Sequence, residues 1–481
     1  MYDITIIGCG VIGASLAYRL SRYDLRVLVL ERENDVAMGT TKANSAIVHA
    51  GYDPMNGTLM AKLNVRGSEM MEGLCKDLDV HYQRSGSLVI AFSKQELLTL
   101  QEMYENGKRN GVPGLKLLSA EQTHAMEPNL ADTVRGALYA PSAAIIDPWG
   151  LCIAEAETAV KNGVELRLRT AVTGIEQQAG HVLLHTSTGD VQTRFAVNCT
   201  GTHAHELAEM AGGEGWEAKP TRGEYYLLDK SSGDLVKHVI FQCPSSVGKG
   251  VLVSPTVHGN LIVGPNAADA DDADDKRTTA PGLHEVQTVA RRSVPTIDIR
   301  QCIRTFAGVR AITNRPDFII EPDDVCPGLL HLAGIKSPGL SAAPAIAEYA
   351  EKLLGQMGVC YAEKPDFDGT RRVTRFKHLS GEEKAKLVAE NPLYGRVICR
   401  CETITEGEIV DAIHSPIPPC SIDGVKRRSG AGMGRCQGGF CGPRVMEILA
   451  RELKTDQMDI LQDQDGTFLI TGQTKMGGTK A

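Results

Sequence analysis

Along the first thirty residues the hydrophobic pattern changes period twice. Asp3 to Ile7 is a short apolar run ending at Gly8, Val11 to Leu20 repeats with helical spacing, and Leu25 to Leu30 is apolar again before Glu31. That order predicts a strand, a helix and a second strand. Further on, Val197-Asn198-Cys199-Thr200-Gly201 reads as a strand entering a glycine turn, and Arg222 to Leu228 and Leu261 to Gly264 read as strands. Near the C-terminus, Thr405 to Ile413 is helical in pattern, with Thr405 as N-cap and Glu408 closing a capping box, and another helix runs through Leu453. Glu363 to Asn391 is rich in charge and poor in β-branched residues, which predicts a domain boundary.

Length and composition narrow the class. A chain of 481 residues exceeds what one core organises, so two or three domains are expected. Hydrophobic residues at 42%, charged residues at 23% and 50 glycines describe a turn-rich α/β protein. A net charge of −8 argues against nucleic-acid binding, and the run Lys426-Arg427-Arg428 is too short to reverse that. The N-terminus shows no cationic leader and no segment approaches the ~18 apolar residues of a membrane span. These features predict a cytoplasmic protein without a transmembrane segment, with peripheral membrane contact left open. Nine of the 13 cysteines are scattered singly, while Cys399, Cys401, Cys436 and Cys441 form a CxC and a CxxxxC pair, so reduced thiols and one metal cluster fit better than disulfides.

The first turn reads Gly8-Cys9-Gly10-Val11-Ile12-Gly13. Such glycines allow a tight turn, close approach to a pyrophosphate and close helix packing, and the helix N-terminus receives the phosphates. Glu31, at the end of the second strand, is placed to accept hydrogen bonds from a ribose and disfavours a 2′-phosphate. A purely structural glycine turn is the alternative. The fingerprint alone does not separate FAD from NAD.

The segment Gly39 to Gly51, with Thr40, Thr41, Asn44, Ser45 and His49, resembles the second FAD-contacting segment of the D-amino-acid-oxidase-like superfamily. His331 to Ala345, with Gly334, Gly339, Leu340 and Ser341, resembles its C-terminal flavin segment. By the same resemblance Val172 covers adenine and Gly201 closes the nucleotide half. The implied fold is α/β, a discontinuous Rossmann-like FAD-binding domain (1–80, 146–205 and 301–358) with an antiparallel-sheet substrate domain (81–145 and 206–300). A connector (359–391), a small helical iron-sulfur domain (392–456) and a tail (457–481) would follow.

Four thiols suit a 2Fe-2S cluster, with zinc as the less favoured occupant and a redox disulfide or inert cysteines behind it. Their spacing, glycines and flanking helices resemble the bacterioferritin-associated-ferredoxin-like domain fused to anaerobic glycerol-3-phosphate dehydrogenase large subunits. Cys420 is a poor fifth candidate. Residues 1–300, through Asn44 to Tyr52, Leu59 to Gly67, Arg222 to Leu228 and Gly264 to Ala267, resemble L-2-hydroxyglutarate dehydrogenases and oxidases. Ala307-Gly308-Val309-Arg310 resembles glycerol-3-phosphate dehydrogenases instead.

The resemblance implies an FAD-dependent dehydrogenase that takes hydride from the secondary hydroxyl of a small anion and passes electrons through the cluster. Glycerol 3-phosphate ranks first and L-2-hydroxyglutarate second, with an electron-transfer or scaffold subunit as the reading of another class. An electron-accepting partner subunit, possibly an NAD-linked flavoprotein, is implied because no second complete fingerprint occurs. His49 is the candidate base or else a flavin contact. Arg222 and Arg310 are candidate anion clamps, Arg222 having Glu224 as its structural alternative. Lys336 is expected to reach flavin or substrate, or to be a solvated turn lysine. Asn266 and Tyr226 are weaker candidates, and His331 is expected to be a satisfied core residue. Asp269 to Asp275 is expected to be a solvated turn, and Lys475 to Ala481 a loose end.

Overall fold

The computed structural model describes residues 1–213, 215–244, 250–270 and 272–472. The expected loose end at Lys475 to Ala481 lies outside them. Residue contacts divide the chain into two units, Met1–Leu30 with Ala37–Arg371, and Glu31–Val36 with Arg372–Ala481.

The first unit begins with β1 (Tyr2–Ile7), α1 (Val11–Leu20) and β2 (Val27–Leu30). β1 pairs in parallel with β2 on one side and with strand Val191–Asn198 on the other, so Ile7 lies opposite both Leu30 and Asn198. Strand Leu329–Ala333 adds in parallel to the far end of Val191–Asn198. These strands are continuous apolar runs because both faces of a parallel sheet are covered, and Ile4, Ile6, Leu28, Leu30, Leu329 and Leu330 are fully buried. Strands Val172–Gln178 and His181–Thr186 extend the sheet in antiparallel fashion.

A second sheet of nine strands, counted among the described residues, is antiparallel except where Val239–Gln242 runs parallel to Ser87–Ala91. Thr221–Leu228 pairs along its length with Cys302–Arg310, so this last strand joins the second sheet although its sequence neighbours continue into Leu329–Ala333. Helix Ala280–Ser293 covers one face, burying Val286 and Ala290 with Leu228, Val253 and Val263. Tyr226 packs against this cluster. Asp275 is not solvated: Arg222 and Arg277 hold its carboxylate, leaving it 6% exposed, while Asp271 lies outside the described residues.

In the second unit a short hairpin, Val397–Cys399 with Ile404–Thr405, leads into helices Glu406–Ile413, Ile422–Ser429 and Gly442–Leu453. Ile409, Val425, Val445 and Leu449 form its core. The capping box is present: the Glu408 N–H donates to Thr405 Oγ1 at 3.3 Å and the Thr405 N–H to Glu408 Oε2 at 2.8 Å. Glu31–Val36 belongs here because Asp35, 1% exposed, is gripped by Arg427 at 3.1 Å and Arg428 at 2.8 Å. Burial alone would raise the Asp35 carboxyl, but the two guanidinium groups hold it below its ordinary value. The basic run is therefore neutralised inside this unit, Arg427 also pairing with Asp463 and Lys426 with Asp423.

Candidate functional site

The turn between β1 and α1 is closed by close backbone approach. A Cβ on Gly13 would lie 2.0 Å from the Gly8 carbonyl oxygen, so only glycine lets α1 come this near the strand. No side chain caps α1 at Gly10 and its first turn carries no acid. The Val11 N–H donates to Thr41 Oγ1 at 3.0 Å, which ties the Gly39 to Gly51 segment to this helix. Asn44 shapes the segment, donating to the Thr41 carbonyl at 2.9 Å and accepting from the Ala46 N–H at 2.8 Å. Thr40 Oγ1 donates to the Val309 carbonyl at 2.8 Å. Gly201 follows strand Val191–Asn198 in the left-handed region, and Val172 packs onto the cluster containing Ile7, Leu28 and Leu30. Glu31 follows β2 directly and accepts the Glu33 N–H at 3.0 Å.

His49 is half-buried. Its N–H donates to Ser341 Oγ at 2.7 Å, its Nε2 lies 3.2 Å from Ser337 Oγ, and its ring faces Phe241 with centroids 5.7 Å apart. Ser341 is fully buried, donating in turn to the Ile47 carbonyl at 3.3 Å. Helix Gly339–Gln356 starts here without a side-chain cap or an early acid. The preceding turn is tight, with Gly334 in the left-handed region, the Gly339 N–H donating to the Lys336 carbonyl at 2.7 Å, and Lys336 and Leu340 both half-buried.

Register separates the two candidate clamps. Residues directly opposite in an antiparallel pair share a face, and alternate residues point to opposite faces. Arg310 stands opposite Thr221 and Arg222 opposite Val309. Arg310 thus shares its face with Gly223, Tyr225 and Phe306, whereas Arg222 shares the other with Glu224 and Tyr226.

On the Arg222 face the guanidinium is 9% exposed, pairs with Asp275, and lies 3.4 Å from Glu224. Glu224 also accepts from the Thr279 N–H at 2.6 Å and hydroxyl at 2.9 Å. The ion-pair alternative for Arg222 is the arrangement observed. On the other face Arg310 is half-buried and donates from Nη2 to the Asn266 carbonyl at 2.9 Å. A Cβ on Gly223 would lie 2.6 Å from that nitrogen, so glycine makes the room. Tyr225 stacks on Phe306 with centroids 4.6 Å apart, and its hydroxyl lies 3.3 Å from Ser45 Oγ. Burial raises the Tyr225 phenol, against the opposing charge and hydrogen bond of Arg310.

Asn266 works through its carbonyl toward Arg310, and its side chain accepts the Glu224 N–H at 2.9 Å. His331 is a satisfied buried histidine, 3.1 Å from the Asn198 amide and 2.9 Å from Asp323. Tyr225, Ser337 and Phe241 were not singled out from sequence. For Tyr225 a signal existed, since a period of two puts it on the face opposite Tyr226.

The four cysteines sort into two pairs. Cys401 Sγ lies 3.7 Å from Cys436 Sγ, both exposed, and Cys399 hydrogen-bonds to Cys441, both buried. Cys399 is pulled down to about 6 by Cys441 and by the N–H groups of Gly432 and Glu402, against its burial. Cys436 is lowered chiefly by the Phe440 N–H.

Residues 3–353 match the family model of the FAD dependent oxidoreductases, and residues 397–451 match that of the BFD-like [2Fe-2S] binding domain. The chain belongs to the FAD-dependent oxidoreductase family. The oxidoreductase is 50% identical over 476 residues to a glycerol 3-phosphate dehydrogenase of Caloramator mitchellensis, covering 99% of both chains. It is 30% identical to an L-2-hydroxyglutarate dehydrogenase of Escherichia coli strain K12, over 56% of this chain and 64% of that one. Its fold superimposes on dithionite-reduced L-alpha-glycerophosphate oxidase from Mycoplasma pneumoniae with FAD bound, at a TM-score of 0.74 and 31% identity, over 78% of this chain and 99% of that one.

The oxidoreductase carries FAD and a 2Fe-2S cluster, and its own atoms fit both. Neither helix N-terminus carries an early acid; Gly339–Gln356 has no side-chain cap and α1 has its Val11 N–H taken by Thr41, so both offer further N–H groups and a positive dipole end to phosphate and flavin. The 3.7 Å separation of the Cys401 and Cys436 sulfurs equals the edge of a tetrahedron with metal–sulfur bonds of about 2.3 Å, so that pair suits one iron, and the Cys399 and Cys441 thiols lie within hydrogen-bonding reach of each other. Among the described residues no helix is long and apolar enough to cross a membrane.

Proposed function

We propose that the chain oxidises sn-glycerol 3-phosphate to dihydroxyacetone phosphate. The observation that carries this reading is the division between the arginines. Arg222 is neutralised by Glu224 and Asp275, whereas Arg310 is half-buried and donates to an uncharged carbonyl. A single guanidinium fork suits one compact dianion at one end of a small substrate. L-2-hydroxyglutarate, anionic at both ends, asks for a second cation that Arg222 does not supply. The name and near-complete coverage of the Caloramator relative support the same choice.

Arg310 would bind the phosphate, with Tyr225 and the Asn266 carbonyl holding the guanidinium in place. His49 would accept the hydroxyl proton at Nε2, oriented by Ser337 and by the backbone bond to Ser341. Lys336, in the tight turn before Gly339, would add positive charge near the flavin. Gly8, Gly10, Gly13, Thr40, Thr41, Asn44, Ser45, Val172, Gly201, Gly334, Gly339, Leu340 and Ser341 would line the FAD site, with Glu31 on the adenosine ribose. Cys399, Cys401, Cys436 and Cys441 would ligate the cluster. When bound, FAD supplies the two-electron acceptor and the cluster the one-electron outlet.

Anaerobic mixing with each substrate tests the reading. Rapid loss of flavin absorbance with glycerol 3-phosphate and not with L-2-hydroxyglutarate is expected. The opposite ranking would transfer the assignment to the hydroxy acid, and no bleaching by either would favour an electron-transfer subunit.

A further inference from the structure

Behind the glycine turn lies a carboxyl group that the proposed chemistry does not use. Glu155, on helix Pro148–Lys161, is 1% exposed and accepts from Ser15 Oγ at 2.8 Å. Ser15 is buried too and stands on α1 one turn beyond Val11, about 6 Å along the axis from the first N–H groups of that helix. Cys152, one turn before Glu155 on the same face, donates from Sγ to the Cys9 carbonyl at 3.5 Å. One face of helix Pro148–Lys161 thus runs from the turn itself to a carboxyl set one helical turn behind it.

The titratable groups around Glu155 bring no positive charge. They are Tyr18 on α1 and Cys75 on helix Leu59–Asp77, both pushed up by burial and then by Glu155 itself, with Cys152 on its own helix and Cys9 in the turn. Asp147, the N-cap of its helix, would be raised by burial but is held below its ordinary value by His258, and Glu157 is paired with Arg371 at 2.8 Å. Among the described residues no cation pairs with Glu155. Burial pushes its carboxyl up to about 8, against the hydrogen bond from Ser15. A buried carboxyl answered by one hydroxyl is held as the uncharged acid at neutral pH.

We propose that Glu155 ties FAD binding to a proton: the uncharged acid admits the pyrophosphate at the turn, and its ionisation weakens that binding. The inference rests on the pyrophosphate lying at Gly8 to Gly13 and not on which substrate the flavin oxidises. Negative phosphate charge so close, across protein of low dielectric, disfavours a second negative charge, so bound FAD raises the pKa of Glu155 further. Affinity is therefore fully present below the value of the empty chain, about 8, and falls as pH rises toward the value of the complex. Between the two, a chain with ionised Glu155 takes up one proton from solvent as FAD binds.

Dilution of the full-length holoprotein without substrate, at pH values from about 7 to about 9.5, releases FAD, and the recovered flavin fluorescence gives Kd. Kd is expected to rise about tenfold over this range in the wild type and to vary by less than about twofold in Glu155→Gln, which keeps the shape and loses the proton. Ser15→Ala removes the one bond that favours the carboxylate, so its rise should move to higher pH. The infrared carbonyl band of the protonated acid, identified by its loss in Glu155→Gln, should persist to higher pH with FAD bound than without it. A flat wild-type Kd, or an equal rise in Glu155→Gln, would overturn the proposal. A band that titrates identically with and without FAD would overturn it by placing the pyrophosphate elsewhere, and absence of the band at neutral pH would overturn it by showing Glu155 already ionised. No arm uses a substrate, so failure of the glycerol 3-phosphate assignment would leave the result readable.

Discussion

The two faces of strand pair Thr221–Leu228 and Cys302–Arg310 carry the same residue type to opposite ends. Arg222 is enclosed by Asp275 and Glu224 and closes the sheet onto helix Ala280–Ser293 through Glu224 and Thr279. Arg310, across the pleat, meets a carbonyl, a glycine and a tyrosine, beside a segment whose Thr40, Thr41 and Ser45 are pinned to the nucleotide turn and the sheet. A guanidinium surrounded by carboxylates has its charge already answered; one held by neutral groups keeps that charge for a ligand. On the proposed reading, neutral surroundings, more than position in a motif, single out Arg310 as the clamp.

Removing each arginine should break the comparison in opposite ways. Arg310→Ala is expected to lower kcat/KM for glycerol 3-phosphate by a factor of ~10² or more, the scale of 2–5 kcal/mol for truncating one partner of a buried charge pair, with the melting temperature near wild type. Steady-state kinetics beside a thermal melt would show it, and an unchanged KM would eliminate the clamp. Arg222→Ala should do the reverse, costing ~3–5 kcal/mol of stability by leaving Asp275 and Glu224 buried and unanswered, while KM of the folded fraction stays constant. Denaturant titration would measure the loss, and a raised KM without it would return Arg222 to the site.

Two smaller changes sharpen the picture on the Arg310 face. Gly223→Ala inserts a methyl where 2.6 Å separates it from the guanidinium, so KM should rise several-fold as Arg310 shifts, an overpacking effect of ~1–3 kcal/mol. Tyr225→Phe deletes one hydroxyl and should cost ~1 kcal/mol, about fivefold in KM with kcat preserved. Phosphate inhibition constants should move in parallel with KM in both variants. A loss confined to kcat would place Tyr225 at the reacting carbon instead of the anion.

Local signals were readable from sequence and long-range ones were not. The glycine turn after β1, the capping box at Thr405 and Glu408 and the spacing within each sequence pair of cysteines, Cys399 with Cys401 and Cys436 with Cys441, are each set within about a dozen residues. Apolar runs placed Leu261–Gly264 and Thr221–Leu228 nearly to the residue. The assignment of Cys302–Arg310 to the second sheet depends on hydrogen bonds to residues some eighty positions earlier, which no local pattern encodes. The same pairing decides that Arg222 and Arg310 face apart. Asp275 looked solvated because its neighbours are acidic, and it is buried because Arg222 and Arg277 come to it. Asp35 gave no signal at all, since its partners Arg427 and Arg428 lie near the other end of the chain.

The interleaving of the chain also imposes an order on its synthesis. β1 is made first, yet its neighbour Val191–Asn198 arrives only towards the middle of the chain and the segment around Ser341 only after most of it has been made, so the flavin site is completed late. Non-local pairing of this kind folds slowly. The cysteine unit, with its ligands gathered between Cys399 and Cys441, closes quickly once made. Glu31–Val36 waits longest of all, because the arginines that hold Asp35 are among the last helical residues to be translated. A nascent chain would therefore hold the Ser341 segment before any of the four cluster cysteines is made, and a ribosome stalled near Arg371 would leave Asp35 without the arginines that hold it.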